Sequence, residues 1–231
     1  MGLAVTLNTA LALTEGKYFC MMGSDDIMLP NKTATQLDYL MRNNDVAVCG
    51  GNVEYIDGEG IRLPRHEKKL AERKLNFDDL FTNSKPGIVA PTSMFVTSIL
   101  RDLNGFDTSS RLEDFPLWLK MTHAGHKMGA VGDVILQYRK HKSNTSKNSR
   151  LMTESVLDAY SPYSDHNAYT MVTQKFISSM MLKAAKSDPS LALELLLKLQ
   201  PKYYSSKVPR TIFRLLLTII KTYYKKLKGS I

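Results

Sequence analysis

The feature that most constrains the fold is a short apolar run followed at once by two carboxylates. Residues 17–23 read KYFCMMG, and Ser24, Asp25 and Asp26 come directly after them. A run of this length suits a buried strand, and a helical pattern follows from Pro30. Because ligands of open α/β sheets bind beyond the carboxyl ends of strands, a carboxylate pair at this point can hold a hard cation. A plain strand-to-helix turn with a capping residue stays open as the alternative.

Strand and helix patterns alternate through the first 150 residues, which predicts the α/β class. Strand patterns cover 45–57 and 129–139, helical patterns cover 3–14, 77–83 and 114–124, and a strand followed by a helix covers 87–103. Residues 62–76 are charged and predict a surface excursion or loose helix. From about residue 153 only helical patterns remain, at 165–186, 188–200 and 209–228. We therefore predict an α/β domain over 1–150 and a helical C-terminal region over 151–231.

Positive charge is concentrated in the C-terminal segment. The chain has a net charge of +9, and no acidic residue follows Glu194. On a helix over 209–228, Arg210, Arg214, Lys221, Lys225 and Lys228 fall within an arc of about 60° and apolar side chains occupy the opposite half. This pattern predicts a helix lying on an anionic membrane surface. Packing of the apolar half on the domain is the alternative, and no motif supports nucleic-acid binding.

Two further observations bear on cellular location. Cys20 and Cys49 lie inside apolar runs, which is typical of core residues in a reduced, cytosolic chain and not of a disulfide framework. No run of 18 uninterrupted apolar residues occurs, so we expect no membrane-spanning helix. Together with the basic helix, these features predict a cytoplasmic protein that is peripheral on the inner face of the membrane.

A second carboxylate pair, Glu113 and Asp114, begins the helical pattern at 114–124. A carboxylate at a helix N-terminus is held ionised by the helix dipole, which suits a general base. A helix start with acidic residues in its first turn is the structural alternative. Further along, Arg139 and His141 follow the strand pattern at 129–139. His141 could ligate a metal or sit in a basic surface loop.

Taken in order, these segments resemble family 2 glycosyltransferases of the GT-A type. The first segment matches the family signature at Asn8, Gly16, Tyr18, Ser24, Asp25, Asp26, Pro30, Lys32 and Gln36. The second matches its acceptor-side motif, from Gly105-Phe106-Asp107 to Glu113-Asp114 and Leu117-Trp118-Leu119. The third, Tyr138-Arg139-Lys140-His141, is similar to the motif after the last strand. Leu7 and Gly23 depart from the family, which often has Arg and Asp at those positions.

The resemblance implies a role for each site residue. Asp114 would be the catalytic base, with Glu113 orienting the acceptor. The donor would be bound by Asn8, Asp25, Asp26 and Arg139, and Mg²⁺ or Mn²⁺ would be ligated by Asp26 and His141. The family pattern also places a first strand and a base-reading Asp before the first match. The resemblance therefore implies an incomplete GT-A mixed sheet with a C-terminal all-helical appendage.

The function implied is inverting transfer of a sugar from a nucleotide-diphosphate sugar, most simply a UDP-sugar, to a glycan or lipid-linked acceptor. Cell-surface polysaccharide biosynthesis is the expected setting. The alternative is a truncated, non-catalytic remnant that binds a membrane or a partner. A metal-dependent phosphohydrolase ranks below both, because the sequence lacks a clustered set of His and Asp ligands.

Overall fold

A computed structural model describes residues 2–64, 69–141 and 144–228, with the backbone alone at 146, 219 and 221–228. The chain divides into two compact units, residues 1–144 and 145–231. The first combines a mixed sheet with helices and the second is helical, so the predicted α/β class with a helical appendage is confirmed. The predicted basic arc includes Lys221, Lys225 and Lys228. The side chains of these three residues are not among those that the structure describes.

The first unit is built on a six-stranded sheet. Its strands are β1 (Tyr18–Cys20), β2 (Ile27–Met28), β3 (Val46–Ile56), β4 (Arg73–Leu75), β5 (Met94–Val96) and β6 (Lys127–Arg139). The order is β1-β5-β3-β6-β2, and β4 also pairs with β6. Only the β3–β6 pair is parallel among the pairings of the described strands. β2 pairs with the C-terminal half of β6 and β4 with its N-terminal half.

In the described part of the first unit, five α-helices accompany this sheet: α1 (Leu3–Leu13), α2 (Lys32–Arg42), α3 (Phe77–Phe81), α4 (Thr97–Asp102) and α5 (Phe115–His123). Apolar side chains from α2 and the central strands form a continuous core cluster. Its fully buried members include Tyr39, Leu40, Val46, Cys49, Met94, Val131 and Ile135. Burial of such side chains contributes roughly 1.5–3 kcal/mol each before conformational entropy is counted.

A buried polar pair fastens α2 to the sheet. Gln36 donates from Nε2 to the carbonyl oxygens of Cys49 and Thr92, at 2.7 Å each. Its Oε1 accepts from Nζ of Lys32 at 2.8 Å, and burial lowers the pKa of that amine. Every polar atom of the Gln36 amide end therefore has a protein partner, which a buried amide requires. The Lys32 and Gln36 matches of the first motif thus correspond to a structural contact.

Two short strands differ from the sequence prediction. The carboxylate pair does not follow a seven-residue buried strand, because β1 ends at Cys20 and residues 21–23 are irregular. It does not lead straight into a helix either, since β2 intervenes before α2. β4 lies within the segment 62–76, for which the sequence predicts a surface excursion or a loose helix. Both missed strands gain their hydrogen bonds from β6, a partner far away in sequence.

The second unit consists of α6 (Ser149–Tyr160), α7 (Tyr169–Ser187), α8 (Pro189–Lys198) and α9 (Lys207–Lys228). Its core cluster lies between α7, α8 and the start of α9, with Met181, Ala184, Ala192, Leu195 and Val208 among its members. α8 begins as predicted: Asp188 accepts from the N–H of Leu191 at 3.0 Å and Pro189 is its first residue. Within the described residues no helix is both long and apolar enough to cross a bilayer.

Candidate active site

The first carboxylate pair lies in the turn between β1 and β2 and is tied to the end of β6. Asp26 accepts a hydrogen bond at Oδ1 from the backbone N–H of Arg139, at 2.9 Å. Asp25 contacts Nε2 of His141 through Oδ2, at 2.7 Å. The prediction that these residues come together from distant motifs therefore matches their positions. Their roles as ligands stay predictions.

Arg139 links the turn that holds this pair to a second turn. Its Nε donates to the carbonyl oxygen of Asp25 at 2.8 Å, and its Nη1 donates to those of Asp57 and Gly58 at 2.9 and 3.0 Å. The guanidinium thus joins the turn after β1 to the turn after β3. The sequence indicated a contact with the donor, and the contacts seen here are instead with backbone carbonyls of the protein.

The carboxylates of Asp25 and Asp26 converge beside Gly23. A Cβ atom built on Gly23 would lie 2.7 Å from Oδ2 of Asp26 and 3.0 Å from Oδ1 of Asp25. A side chain at this position would therefore displace both groups. Burial raises the pKa of Asp26, the N–H of Arg139 opposes that shift, and the negative charge of Asp25 adds to it. Two carboxylates lie close together here, and burial makes one of them costly to ionise. A bound cation would stabilise both negative charges.

These residues fit a cation that is shared with a ligand. Across the described ranges, no three or more His, Cys, Asp or Glu side chains are arranged to hold a metal ion by themselves. Two carboxylate oxygens beside Gly23 are nevertheless the hard ligands that Mg²⁺ and Mn²⁺ take, and Mg²⁺ is commonly bound by one or two carboxylates with phosphates supplying further oxygens. In the conformation seen, His141 contacts Asp25 and Nδ2 of Asn144, the latter at 3.3 Å.

The second carboxylate pair stands at the start of α5. Asp114 is the N-cap of this helix and accepts at Oδ1 from the N–H of Phe115, at 2.6 Å. Burial raises the pKa of Asp114 in spite of that hydrogen bond. The pKa of Glu113 is raised by burial and then by the charge of Asp114. A carboxylate that resists ionisation holds a proton more strongly, which is the property of an effective general base.

Tyr138 lies near the end of β6, directly before Arg139. Burial raises the pKa of its hydroxyl first, followed by the charges of Asp26 and Asp25, by Tyr55 and by Asp114. Its ring packs edge-on against Tyr55, with centroids 5.7 Å apart. Tyr138 is not among the site residues predicted from the sequence. Its position directly before Arg139, in the third motif, is the signal that could have identified it.

Asn8 has a structural role that the sequence did not indicate. Its Nδ2 donates to the carbonyl oxygen of Phe106 at 2.8 Å, and its Oδ1 accepts from the N–H of the same residue at 2.9 Å. Gly105 has a positive φ of 64°, and a Cβ there would lie 2.4 Å from Oδ1 of Asn8. Glycine is therefore required on both grounds. Asn8 joins α1 to the loop of the second motif, and a direct contact with the donor remains a prediction.

Comparison with known proteins agrees with this arrangement. Residues 1–103 match the family model described as glycosyl transferase family 2. The O-antigen biosynthesis glycosyltransferase WbnJ of Escherichia coli is 25% identical over 154 residues, covering 64% of this chain and 57% of the relative. The UDP-Glc:alpha-D-GlcNAc-diphosphoundecaprenol beta-1,3-glucosyltransferase WfgD, also of Escherichia coli, is 29% identical over 149 residues, covering 64% and 55%. The chain spans about half the length of the curated relatives it matches.

A solved structure shares the fold. The mannosyltransferase PcManGT from Pyrobaculum calidifontis, in complex with GDP-Man and Mn²⁺, superposes with a TM-score of 0.53 at 16% identity, covering 97% of this chain and 67% of that one. This likeness confirms a mixed sheet of the GT-A kind. The family match over residues 1–103, the named relatives and the shared fold agree in their similarity to glycosyltransferases of family 2.

Proposed function

We propose that this protein transfers a sugar, with inversion, from a nucleotide-diphosphate sugar to a glycan or lipid-linked acceptor. The chain has two carboxylate pairs, Asp25 with Asp26 and Glu113 with Asp114. The observation that carries the proposal is the contact of the first pair with the end of β6, where Asp26 accepts from the N–H of Arg139 at 2.9 Å and Asp25 contacts Nε2 of His141 at 2.7 Å. One pair suits a cation and a diphosphate, and the other suits a proton acceptor. A direct displacement needs both functions near one anomeric carbon.

The donor side is formed by Asp25 and Asp26. Asp26 is oriented by the N–H of Arg139 and opens toward the space beside Gly23. A bound Mg²⁺ or Mn²⁺ would be held by Asp26, with His141 as a second ligand once it leaves Asp25, and it would neutralise charge on the departing diphosphate. Arg139 acts as a positioning residue, because its guanidinium fixes the turn that carries both aspartates.

The acceptor side is formed by Asp114 and Glu113. Asp114 takes the proton of the acceptor hydroxyl as that oxygen attacks the anomeric carbon, and the nucleoside diphosphate leaves from the opposite face. The configuration at the anomeric carbon is thereby inverted. The raised pKa of Asp114 supports this role, since a base of higher pKa accepts the proton more readily. Glu113 orients the acceptor.

The substrates follow by analogy with the relatives. The name of WfgD includes a UDP-sugar donor and a diphosphoundecaprenol-linked acceptor, and WbnJ is named for O-antigen biosynthesis. We propose a UDP-sugar, a lipid-linked or glycan acceptor and a place in cell-surface polysaccharide biosynthesis. A lipid-linked acceptor would bring the protein to the inner face of the membrane.

Calorimetry and turnover assays test the proposal. The protein is titrated with UDP-sugars and with GDP-mannose, with and without Mn²⁺, and turnover is followed as UDP release with an undecaprenyl-diphosphate-linked sugar as acceptor. Asp26→Asn should lose the metal-dependent part of donor binding. Asp114→Asn should keep donor binding and lose turnover by roughly 10²–10⁴-fold, the usual contribution of a general base.

The matched control is Asp38→Asn, because Asp38 is exposed and forms an ion pair with Arg42 on the surface of α2, at 2.9 Å. This variant should behave like the parent in both assays. Unchanged turnover in Asp114→Asn would remove the base assignment. A protein that binds no sugar nucleotide under any of these conditions would instead be the non-catalytic remnant.

A further inference from the structure

Helix α9 turns a largely apolar face to solvent. Ile212, Phe213, Leu216, Leu217 and Ile220 are all exposed, with Phe213 at 62% and Leu216 at 54% of their full accessible surface. These five residues, which we call the apolar face of α9, fall within an arc of about 140° on the helix. Soluble proteins rarely expose contiguous apolar surface without a binding role.

The opposite side of α9 is the one that packs on the helical unit. Thr211 is fully buried, and Leu215 packs against the core cluster of the unit. Lys207 donates from Nζ to Oγ of Ser179 at 2.6 Å, and Arg214 donates from Nη1 to the carbonyl oxygen of Leu182 at 2.8 Å. Polar groups therefore contribute to the contact between α9 and α7, beside the apolar packing of Val208 and Leu215. A surface helix of a globular protein normally buries its apolar side, whereas α9 leaves the five residues of its apolar face exposed to solvent.

Charge indicates what covers this face. Arg210 is exposed and lies about 20° beyond Leu217 on the helix, so a cation borders the apolar face. The segment after Glu194 carries nine Lys and Arg residues and no acid. A symmetric contact with a second copy of the chain would bring the basic segments of the two copies together. Repulsion between their like charges opposes that association. A surface that is apolar at the centre, has Arg210 at its border and lies in a segment without acids complements anionic lipid headgroups above acyl chains.

We propose that the apolar face of α9 is a membrane-contact surface that inserts into the interface of an anionic bilayer. The axis of α9 would lie parallel to the membrane plane, with the apolar face entering the headgroup region and the basic border contacting anionic headgroups. The inference concerns a surface outside the sugar-transfer residues and does not depend on the proposed reaction.

Vesicle flotation of the full chain tests it, with vesicles of phosphatidylglycerol and phosphatidylcholine compared with phosphatidylcholine alone. The parent protein should float with the anionic vesicles and largely fail to float with the neutral ones, and added salt should weaken its binding. The double variant Phe213→Glu/Leu216→Glu should bind anionic vesicles at least about tenfold more weakly, since it places charge in the inserted face. Both positions are exposed, so the fold should be retained, which circular dichroism would verify.

The control is Leu13→Glu/Met41→Glu, which changes net charge equally at two exposed apolar residues of the first unit. It should bind like the parent apart from the small effect of two added negative charges. Equal loss in both double variants would mean that net charge alone governs binding, and equal flotation on neutral vesicles would mean that anionic lipid is not recognised. If the parent protein does not float and is a dimer that Phe213→Glu/Leu216→Glu converts to a monomer, the apolar face of α9 is the contact between two copies of the chain. Each of these results would overturn the proposal.

Discussion

Asn8 and the backbone of Phe106 exchange two hydrogen bonds, at 2.8 and 2.9 Å, across 98 residues of sequence. The contact is half-buried and satisfies both ends of the side-chain amide. It joins α1, which precedes the donor-side turn, to the loop that leads to Asp114. The geometry of the two halves of the candidate site is therefore coupled through one amide group.

Replacement of Asn8 by Ala should lower the free energy of unfolding of the first unit by about 1–3 kcal/mol. The variant removes two hydrogen bonds and leaves the N–H and carbonyl of Phe106 unpaired in a half-buried position. Urea denaturation monitored by fluorescence of Trp118 measures the change. Thr9→Ala, which removes only an exposed hydroxyl bonded to the carbonyl of Val5, should stay within about 0.5 kcal/mol of the parent. Similar midpoints for the two variants would contradict the coupling.

Replacement of Arg139 by Lys should weaken donor binding by about tenfold or more, which is about 1.4 kcal/mol. Lysine keeps the charge but cannot span the carbonyl oxygens of Asp25, Asp57 and Gly58 as a guanidinium does. The backbone hydrogen bond to Asp26 survives, so the loss should be partial. Calorimetric titration with a UDP-sugar and Mn²⁺ measures it.

The control for this change is Arg62→Lys, at an arginine whose Nη2 lies 3.2 Å from Oε1 of Glu54. An exposed ion pair of this kind contributes little, so donor affinity should be unchanged. If Arg139→Lys binds the donor as tightly as the parent, the turn does not depend on the guanidinium.

Asp114→Asn should make the protein more stable near neutral pH. Burial raises the pKa of Asp114 in the folded state, so the folded protein holds this proton to higher pH than the unfolded chain does. Stability is therefore lost as pH rises through the interval from the ordinary aspartate value to the raised one. Asparagine has no charge to bury and still accepts from the N–H of Phe115. The gain, followed by thermal unfolding across pH, should disappear in acid, below the ordinary aspartate pKa.

Asp45→Asn supplies a comparison of opposite sign. A hydrogen bond from Lys74 holds the pKa of Asp45 below its usual range. This carboxylate contributes stability above the unfolded pKa, and that contribution is lost as pH falls, so its removal should slightly destabilise the protein at neutral pH. A pH profile in which the two variants shift stability in the same direction would argue against the burial of Asp114.

Gly23→Ala should disrupt metal-dependent donor binding by about tenfold or more while leaving the fold intact. The added Cβ would meet Oδ2 of Asp26 at 2.7 Å and Oδ1 of Asp25 at 3.0 Å, so both carboxylates must turn away. A loss of this size corresponds to about 1.4 kcal/mol of binding free energy. Titration of UDP with and without Mn²⁺ isolates the metal-dependent part of the affinity.

The partner variant is Gly58→Ala, in the turn that Arg139 contacts, where an added Cβ meets nothing within 4 Å. It should bind the donor like the parent. Equal affinity of Gly23→Ala and the parent would show that the space beside Gly23 is not used.

Periodicity and capping predicted the long elements, and tertiary pairing explains those that were missed. α5 and α8 begin where Asp114 and Asp188 cap them, because these signals are local. β2 contains only Ile27 and Met28, both exposed, so no apolar pattern could indicate it. For the candidate site, the order of the motifs predicted that Asp25 and His141 belong to one site. The contact of Asn8 with Phe106 depends on the packing of α1 against a loop about 98 residues away, which the sequence pattern does not show.

Pattern alone left two orientations of the tail helix open. The amphipathic pattern of a helix gives the width of its apolar arc. It does not show whether that arc packs against the rest of the protein. In the structure Thr211 is buried and Arg214 donates to the carbonyl oxygen of Leu182, whereas Phe213 is exposed. Polar contacts of this kind with α7 have no signature in the periodicity of α9. Contact of the exposed apolar arc with a membrane stays a prediction.

The parallel pairing of β3 with β6 has a consequence for folding fidelity. Tyr55 lies opposite Tyr138 and Ile56 opposite Arg139, at the end of a ladder with irregularities near Asn52. A shift of the β3–β6 register by one residue would move the side chains of the shifted strand to the opposite face of the sheet. It would also separate the N–H of Arg139 from the carboxylate of Asp26. A mispaired chain could retain ordinary strand content and still lack the donor-side geometry. Sugar-nucleotide affinity would therefore report on strand alignment in a way that circular dichroism cannot.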